Sequence, residues 1–252
     1  NSDSVVLFEN GEVGDSILDG FTVQNGSGHV VGSYTFGGGI CCWQTSPTIR
    51  NCSVINNTAY FNGGIRLYQS DSVVEDCFIA GNVGGDGGGI SCTGSGSATI
   101  ANCVVSGNGN SWGAGIYAFA CQATIENCIV EYNYGAQGGG IALQEAPDVT
   151  VTGCVVRYNT SSVRGGGILC YDSFTSEIMN CEIYENEALG GGGIECSTGS
   201  YVRITDCTIT SNTAFSAGGG ILCSNGSNPI ILDCVIDSSQ VIGPLGSGNG
   251  GG

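Results

Sequence analysis

The chain has 252 residues and a formal net charge of −17, because 22 acidic residues are balanced by only five Arg and no Lys. Such a surface repels phosphate backbones and anionic membranes, which excludes nucleic-acid binding. No apolar run approaches the length of a transmembrane helix, so we expect no direct membrane insertion. The 46 glycines cluster once per repeat and not at every third residue, which excludes collagen.

The first predicted elements form a leading repeat. Val5 to Phe8 predicts its first strand, and Leu18 to Val23 (Leu-Asp-Gly-Phe-Thr-Val) predicts the rest, with Phe21 in the position that cysteine takes later. An insertion over residues 26–36 follows, and we expect the single histidine, His29, to lie in a surface loop there.

Eight similar repeats follow at steps of 25 to 27 residues, each opening with a glycine-rich run that ends in isoleucine. These repeat isoleucines are Ile40, Ile65, Ile90, Ile116, Ile141, Ile168, Ile194 and Ile221. A cysteine stands 12 or 13 residues after each of them: Cys52, Cys77, Cys103, Cys128, Cys154, Cys181, Cys207 and Cys234. A fixed period in this range indicates a solenoid, in which each repeat buries its apolar face by stacking on its neighbours.

Within a repeat, aliphatic β-branched residues occupy the positions three before and two after the cysteine, as Ile49 and Val54 do around Cys52. Alternation with period two and turn residues between short runs predict strands, about three per repeat. The Asn, Asp or Gly before each cysteine predicts a left-handed bend. An asparagine five residues after the cysteine, from Asn57 to Asn212, predicts a ladder of stacked side-chain amides. The sequence therefore predicts one all-β domain over residues 1–252, a parallel β-helix of about nine coils, as a segment of a longer solenoid or an assembly subunit.

The segment from Gly37 to Asn57 has the pattern Gly-Gly-Gly-Ile-x-Cys, then Ser-Pro-Thr-Ile-x-Asn-Cys-x-Val-x-x-Asn. This pattern, with the opening at Leu18, resembles the right-handed β-helix repeats of large secreted bacterial proteins and, more loosely, chlamydial polymorphic outer-membrane repeats. The resemblance implies a right-handed, single-stranded parallel β-helix and a secreted or cell-surface bacterial protein. It implies no particular activity, because one fold hosts many functions.

The cysteines leave two alternatives open. Five more of them stand two residues after a repeat isoleucine, and every coil with this cysteine also has the later one. Disulfides within a coil are then one possibility, and free thiols packed in the core are the other. The candidate disulfides are Cys42–Cys52, Cys92–Cys103, Cys170–Cys181, Cys196–Cys207 and Cys223–Cys234. Cys41 and Cys121 fall outside both ladders, and Cys41 should face outward.

Two outward-facing stripes are candidate interaction surfaces. The first follows the position three after the repeat isoleucine and contains Trp43, Tyr68, Phe119 and Tyr171. Aromatic rings in such a stripe stack on sugars or form an assembly surface. The second, which lies outside the third strand, contains Phe78, Val104, Ile129 and Val155 and indicates contact with another chain or with another part of the same chain.

Catalysis is not favoured by the composition, because the chain has one His and no Lys, and its acidic residues do not stack on one face of adjacent coils apart from Asp206 and Asp233 at a turn. We predict no cofactor, although Glu182, Glu185, Glu187 and Glu195 could together hold Ca²⁺ weakly. The sequence favours a non-enzymatic structural or surface protein (a filament subunit, stalk or adhesin) that acts by self-association or adhesion. The alternative is a module that binds or cleaves polysaccharide.

Overall fold

The computed structural model describes residues 3–243, which form a parallel β-solenoid. Three sheets of nine strands each run the length of the solenoid, so the predicted nine coils with three strands per coil are confirmed. The leading repeat is in register, with Val23 paired to Val54, although Phe21 is exposed whereas the cysteines of its column from Cys52 to Cys207 are buried. Among the described residues no helix is long and apolar enough to cross a membrane.

The three sheets are named here by their place in the coil. Sheet A, the first, contains Val6–Phe8, Ile40–Trp43, Ile65–Tyr68, Ile90–Thr93, Ile116–Phe119, Ile141–Gln144, Ile168–Tyr171, Ile194–Ser197 and Ile221–Cys223. Sheet B contains Ile17–Asp19, Thr48–Arg50, Val73–Glu75, Ser97–Ala101, Gln122–Glu126, Val149–Thr152, Phe174–Met179, Tyr201–Thr205 and Ile230–Leu232. Sheet C contains Thr22–Gln24, Ser53–Ile55, Phe78–Ala80, Val104–Ser106, Ile129–Glu131, Val155–Arg157, Glu182–Tyr184, Thr208–Thr210 and Val235–Asp237.

A fourth parallel sheet, sheet D, adds to the three predicted ones. Its seven strands lie between the asparagine ladder and the glycine run: Val83–Asp86, Gly109–Trp112, Tyr134–Gln137, Thr160–Arg164, Glu187–Gly190, Thr213–Ala217 and Gln240–Val241. The insertion near His29 forms an antiparallel hairpin of His29–Val31 and Tyr34–Phe36. His29 Nδ1 lies 3.2 Å from Asp3 Oδ1 at the surface.

Equivalent residues of successive coils stack directly on each other and fill the interior. Ile49, Val74 and Ile100, for example, pair in register and are fully buried. A continuous apolar core of this kind exists only between coils, so each coil depends on both neighbours for most of its stability.

Each coil bends at residues in the left-handed conformation. The residue before the cysteine has a φ of 51° to 63° throughout, from Asn51 to Asp233, which confirms the predicted bend. Two further left-handed columns follow sheet A and precede the asparagine ladder, and they include bulky residues such as Tyr132 and Tyr158. A non-glycine residue in this region is strained by roughly 1 kcal/mol or more, so the stacked coils hold these bends in place.

The asparagine ladder is buried and fully hydrogen-bonded. From Asn57 to Asn186 the Asn Nδ2 donates to the Asn Oδ1 of the next coil and to a sheet C carbonyl of the preceding coil, as Asn133 does to Asn159 (2.9 Å) and to Val105 (3.0 Å). The same Oδ1 also accepts the backbone N–H of the preceding asparagine. The side chains thereby satisfy backbone groups that a bend leaves without a partner.

The fifteen cysteines are all free, so the five within-coil disulfides are absent from the structure. The thiols interact with other thiols of the same column: Cys103 interacts with Cys77 and Cys128 in the neighbouring coils, and Cys170 interacts with Cys196. The thiols of the later column also donate to carbonyls at the bend, as Cys103 Sγ does to Ala101 O at 3.2 Å. The buried thiols of both columns pack as small core residues in this structure, and the choice between free thiols and disulfides stays a prediction.

Candidate functional site

The glycine run folds over the outer face of sheet A. In seven coils the first glycine of the run is left-handed, and a Cβ on it would collide with the residue after the repeat isoleucine; on Gly138, for example, it would lie 2.6 Å from Ala142 Cβ. Glycine makes this crossing without a clash. In the coil of Arg66 the equivalent left-handed position is Asn62, with a φ of 60°. The residues beneath form a covered column of Cys41, Arg66, Ser91, Tyr117, Ala142, Leu169 and Glu195, all buried.

The covered column explains why an outward position is not exposed. Cys41 faces the outer side of sheet A, as expected, but it is fully buried under the crossing at Gly37. Burial raises the pKa of its thiol to about 11, so this group is neutral at pH 7.

A second set of side chains forms a wall along one side of this face. The residue four before each repeat isoleucine forms a rim column of Phe36, Phe61, Asp86, Trp112, Gln137 and Arg164, in register from coil to coil. Phe36 and Phe61 stack with ring centroids 5.2 Å apart. The ends of the sheet D strands therefore form one wall of a groove whose floor is the outer face of sheet A.

The groove has a volume of about 580 Å³ and extends over four neighbouring strands of sheet A. Three spacings of about 4.8 Å between strands give a length of roughly 14 Å. Its lining combines aromatic rings with polar groups: Phe36, Phe61, Tyr68, Trp112, Tyr117 and Phe119 with Arg66, Asp86 and Gln144, among others. Apolar surface with a few convergent polar groups is the composition of a ligand site.

The predicted aromatic stripe contributes to this groove. Trp43 and Tyr68 are in register, with ring centroids 4.5 Å apart, and Phe119 stacks on Tyr117 at 6.1 Å with nearly parallel planes. Tyr171 lies beyond the groove and makes an edge contact with Trp112 at 5.7 Å. Tyr68 and Phe119 line the groove directly, and the other two rings support it from the sides.

Arg66 is the unusual residue of the groove. It is 6% exposed, and its Nε and Nη1 are buried without a hydrogen-bond partner among the described residues. Its guanidinium lies over the ring of Phe36 at 4.0 Å and near those of Trp43 and Tyr68, both at 4.9 Å. Burial lowers its pKa, but a guanidinium remains protonated at neutral pH.

Two other polar groups complete the groove. Asp86 is half-buried, and desolvation raises the pKa of its carboxyl. Tyr117 is buried, and its hydroxyl donates to Gln144 Oε1 at 2.8 Å. Asp86 forms no ion pair with Arg66 in the described part of the chain, so both groups keep their capacity for a ligand.

The acidic cluster expected near residue 182 is divided between faces. Glu182, Glu185 and Glu187 are exposed, whereas Glu195 is buried in the covered column, 2% exposed. Residues 3–243 contain no group of three or more His, Cys, Asp or Glu side chains arranged to hold a metal ion. Burial raises the pKa of Glu195 to about 7, although Arg164 lies 3.9 Å away.

The second predicted stripe is less exposed than expected. Phe78 is 46% exposed, but Val104, Ile129 and Val155 are half-buried because each packs between its neighbours in the sheet C ladder. On the last described coil the inward residues Ile231 and Ile236 are 37% and 49% exposed, although they pair in register with fully buried isoleucines.

Several groove residues were missed at the sequence level. Phe36, Phe61, Asp86 and Trp112 all stand four residues before a repeat isoleucine, and this spacing was a usable signal. It was overlooked because no strand was predicted between the asparagine and the glycines, where sheet D lies.

The fold agrees with the comparison to known protein families. The family model for a right handed beta helix region matches residues 1–111 and 88–251. The chain therefore belongs to the right-handed β-helix family, whose domains occur in both enzymes and non-enzymes. No curated protein and no solved structure matched the chain.

Proposed function

We propose that this β-helix acts at a cell surface or after secretion and binds a saccharide chain in the groove on sheet A. The observation that carries the proposal is the groove itself, with the rings of Tyr68, Trp112 and Phe119 beside Asp86 and Gln144. Ring faces stack on the apolar faces of sugars, and side-chain oxygens and amides bond their hydroxyls.

Binding without cleavage is favoured by the number of carboxyl groups. Among the described lining residues Asp86 is the single carboxyl. Glycoside hydrolysis generally uses a pair of carboxyls at a set separation. The proposed role is therefore recognition or adhesion.

Tryptophan fluorescence provides a direct binding assay, because both tryptophans of the chain lie at this site. Oligosaccharides from a mixed neutral and acidic panel should change the emission in a saturable way. Phe119→Ala should weaken binding roughly tenfold, since an aromatic contact contributes about 1 kcal/mol or somewhat more.

Tyr201→Ala is the matched control. Tyr201 stacks on Phe174 at 6.0 Å, much as Phe119 stacks on Tyr117, but on sheet B away from the groove. Loss of affinity in Phe119→Ala alone supports the proposal. No binding by any member of the panel, or equal losses in both variants, would refute it.

A further inference from the structure

A row of tyrosines, Tyr132, Tyr158 and Tyr184, lies on the surface where sheet C turns toward sheet D. Tyr132 and Tyr158 stack with ring centroids 5.0 Å apart and 6° between the ring planes, and Tyr184 makes an edge contact with Tyr158 at 6.1 Å. Tyr132 is 57% exposed, and Tyr134, two residues along the chain, is 59% exposed. This tyrosine row crosses neighbouring coils and shares no residue with the described lining of the groove on sheet A.

The backbone at two of these tyrosines is strained, and the core does not require a ring there. Tyr132 and Tyr158 have φ values of 55° and 54°, in the left-handed region that bulky side chains rarely adopt. The same position, directly before the asparagine ladder, is left-handed in every other coil too, with Asn25, Asn56, Gly81, Gly107, Glu185, Ser211 and Ser238. Because strained residues cluster at functional sites, the two rings indicate a role beyond folding.

One ring face of the row is open. Tyr158 covers one face of Tyr132, and the other face turns toward the preceding coil, where the equivalent residue is Gly107. A Cβ built on Gly107 would have no atom within 4 Å, so there is space beside Tyr132 for a further flat group. In the described part of the chain Tyr132 makes no ring contact other than that with Tyr158.

An arginine of the chain itself shows which flat group fits this surface. The guanidinium carbon of Arg157 lies 5.7 Å from the ring centroid of Tyr158 and 5.9 Å from that of Tyr184. Its Nη1 donates to the Tyr184 hydroxyl, and its Nε and Nη2 contact Glu131 Oε2, all at 2.8 Å. Ring faces, a hydroxyl and a carboxylate therefore hold one guanidinium at the surface. The other oxygen of Glu131, Oε1, forms no hydrogen bond in the described structure, and Glu131 directly precedes Tyr132.

The charge around the row favours a basic partner. The chain has a net charge of −17, and Glu182, Glu185 and Glu187 are exposed in the coil at the far end of the row. A surface of this sign attracts cations and speeds their association. Arginine suits the open ring better than lysine, because its planar guanidinium stacks on an aromatic face. Gly107 and Glu185 are three coil spacings apart, roughly 14 Å, which an extended peptide spans in about four residues.

We propose that the tyrosine row binds an extended basic peptide segment of another protein. One arginine of the segment lies on the open face of Tyr132, with Glu131 Oε1 as its acceptor. A second arginine, about four residues further along, reaches the exposed glutamates around Glu185, since side chains an even number of residues apart point to the same side of an extended chain. This site is independent of the saccharide groove.

Fluorescence anisotropy of a dye-labelled synthetic peptide tests the proposal. The probe is a Ser- and Thr-rich peptide with two arginines about four residues apart, compared with the same peptide carrying lysines. Wild-type protein should bind the arginine peptide about fivefold more tightly, and added salt should weaken binding. Tyr132→Asn should lower the affinity about fivefold. Its urea midpoint should stay close to that of the wild type, because Asn56 occupies the same left-handed position in another coil.

Tyr201→Asn is the matched control, because it removes an exposed, stacked tyrosine from sheet B and should leave peptide binding unchanged. Phe119→Ala in the groove should also leave it unchanged, which separates this site from the proposed saccharide site. Equal affinity for the arginine and lysine peptides, or full affinity in Tyr132→Asn, would overturn the proposal. A saccharide whose affinity falls in Tyr132→Asn would overturn it as well, since the row would then bind sugar.

Discussion

The asparagine ladder allows a quantitative test of how the coils are held together. Asn133 lies in the middle of the solenoid, and its side chain takes part in four hydrogen bonds. Its Nδ2 donates to Val105 O and Asn159 Oδ1, and its Oδ1 accepts from the backbone N–H and the Nδ2 of Asn108. All three asparagines are buried, so water cannot replace the lost partners.

Asn133→Ala should lower the free energy of unfolding by about 4 kcal/mol. A net contribution of about 1 kcal/mol for each of four hydrogen bonds gives this value, and the backbone N–H of Asn108 is then left buried without its acceptor. Urea unfolding followed by circular dichroism measures the change. Asn228→Ala is the control, because Asn228 is exposed and its side chain forms no hydrogen bond in the described structure, so its effect should stay within about 0.5 kcal/mol.

A loss below about 1 kcal/mol in Asn133→Ala would refute this reasoning. It would mean that backbone pairing alone holds the bend and that the amides add little. Asn133→Asp sharpens the test, since a carboxylate cannot donate to Val105 O and would be a buried charge. That variant should be less stable than Asn133→Ala at neutral pH and recover part of the difference in acid.

The remaining predictions concern one titrating group, one glycine and the thiols. Because burial raises the pKa of Glu195 from 4.5 to about 7, wild-type stability should fall as the pH rises between these values. Glu195→Gln should therefore be more stable than wild type by roughly 3 kcal/mol above pH 7, but not below pH 4, in thermal melts. A constant difference across pH would contradict this. Gly115→Ala places a Cβ 2.5 Å from a carbonyl oxygen of the next coil and should cost more than about 2 kcal/mol, whereas Gly14→Ala, with open space around it, should be neutral in the same urea assay. Alkylation of the native protein followed by mass spectrometry should modify Cys223 and Cys234 and spare the thirteen buried thiols until urea is added; rapid labelling of the buried thiols would refute the packed ladders.

Repetition explains why the core could be read from the sequence. Each inward position recurs about every 26 residues with the same residue type. Ile49, Val54 and Asn57 could therefore be recognised as inward from the equivalent residues of the other repeats. Local rules then placed the bend before the cysteine, because Asn, Asp and Gly share a tolerance for positive φ. Register, coil number and the asparagine ladder all follow from these two facts.

The outer face of sheet A could not be read in the same way. Alternation correctly separated inward from outward residues, and it placed Cys41, Arg66 and Glu195 on the outward side. Outward does not mean exposed here, because the glycine run of the same coil crosses over these residues. That crossing depends on the tertiary path of the chain, for which period-two patterning provides no signal.

Arg66 differs from most of the other arginines because it has no carboxylate partner in the described structure. Three of the other four arginines lie within 4 Å of a carboxylate: Arg50 with Asp19, Arg157 with Glu131 and Arg164 with Glu195. The chain has 22 acidic residues, but the positions that neighbour Arg66 hold aromatic rings, a thiol and a hydroxyl instead of a carboxylate. Since outward positions of a solenoid vary from coil to coil without altering the core, stability does not dictate this choice.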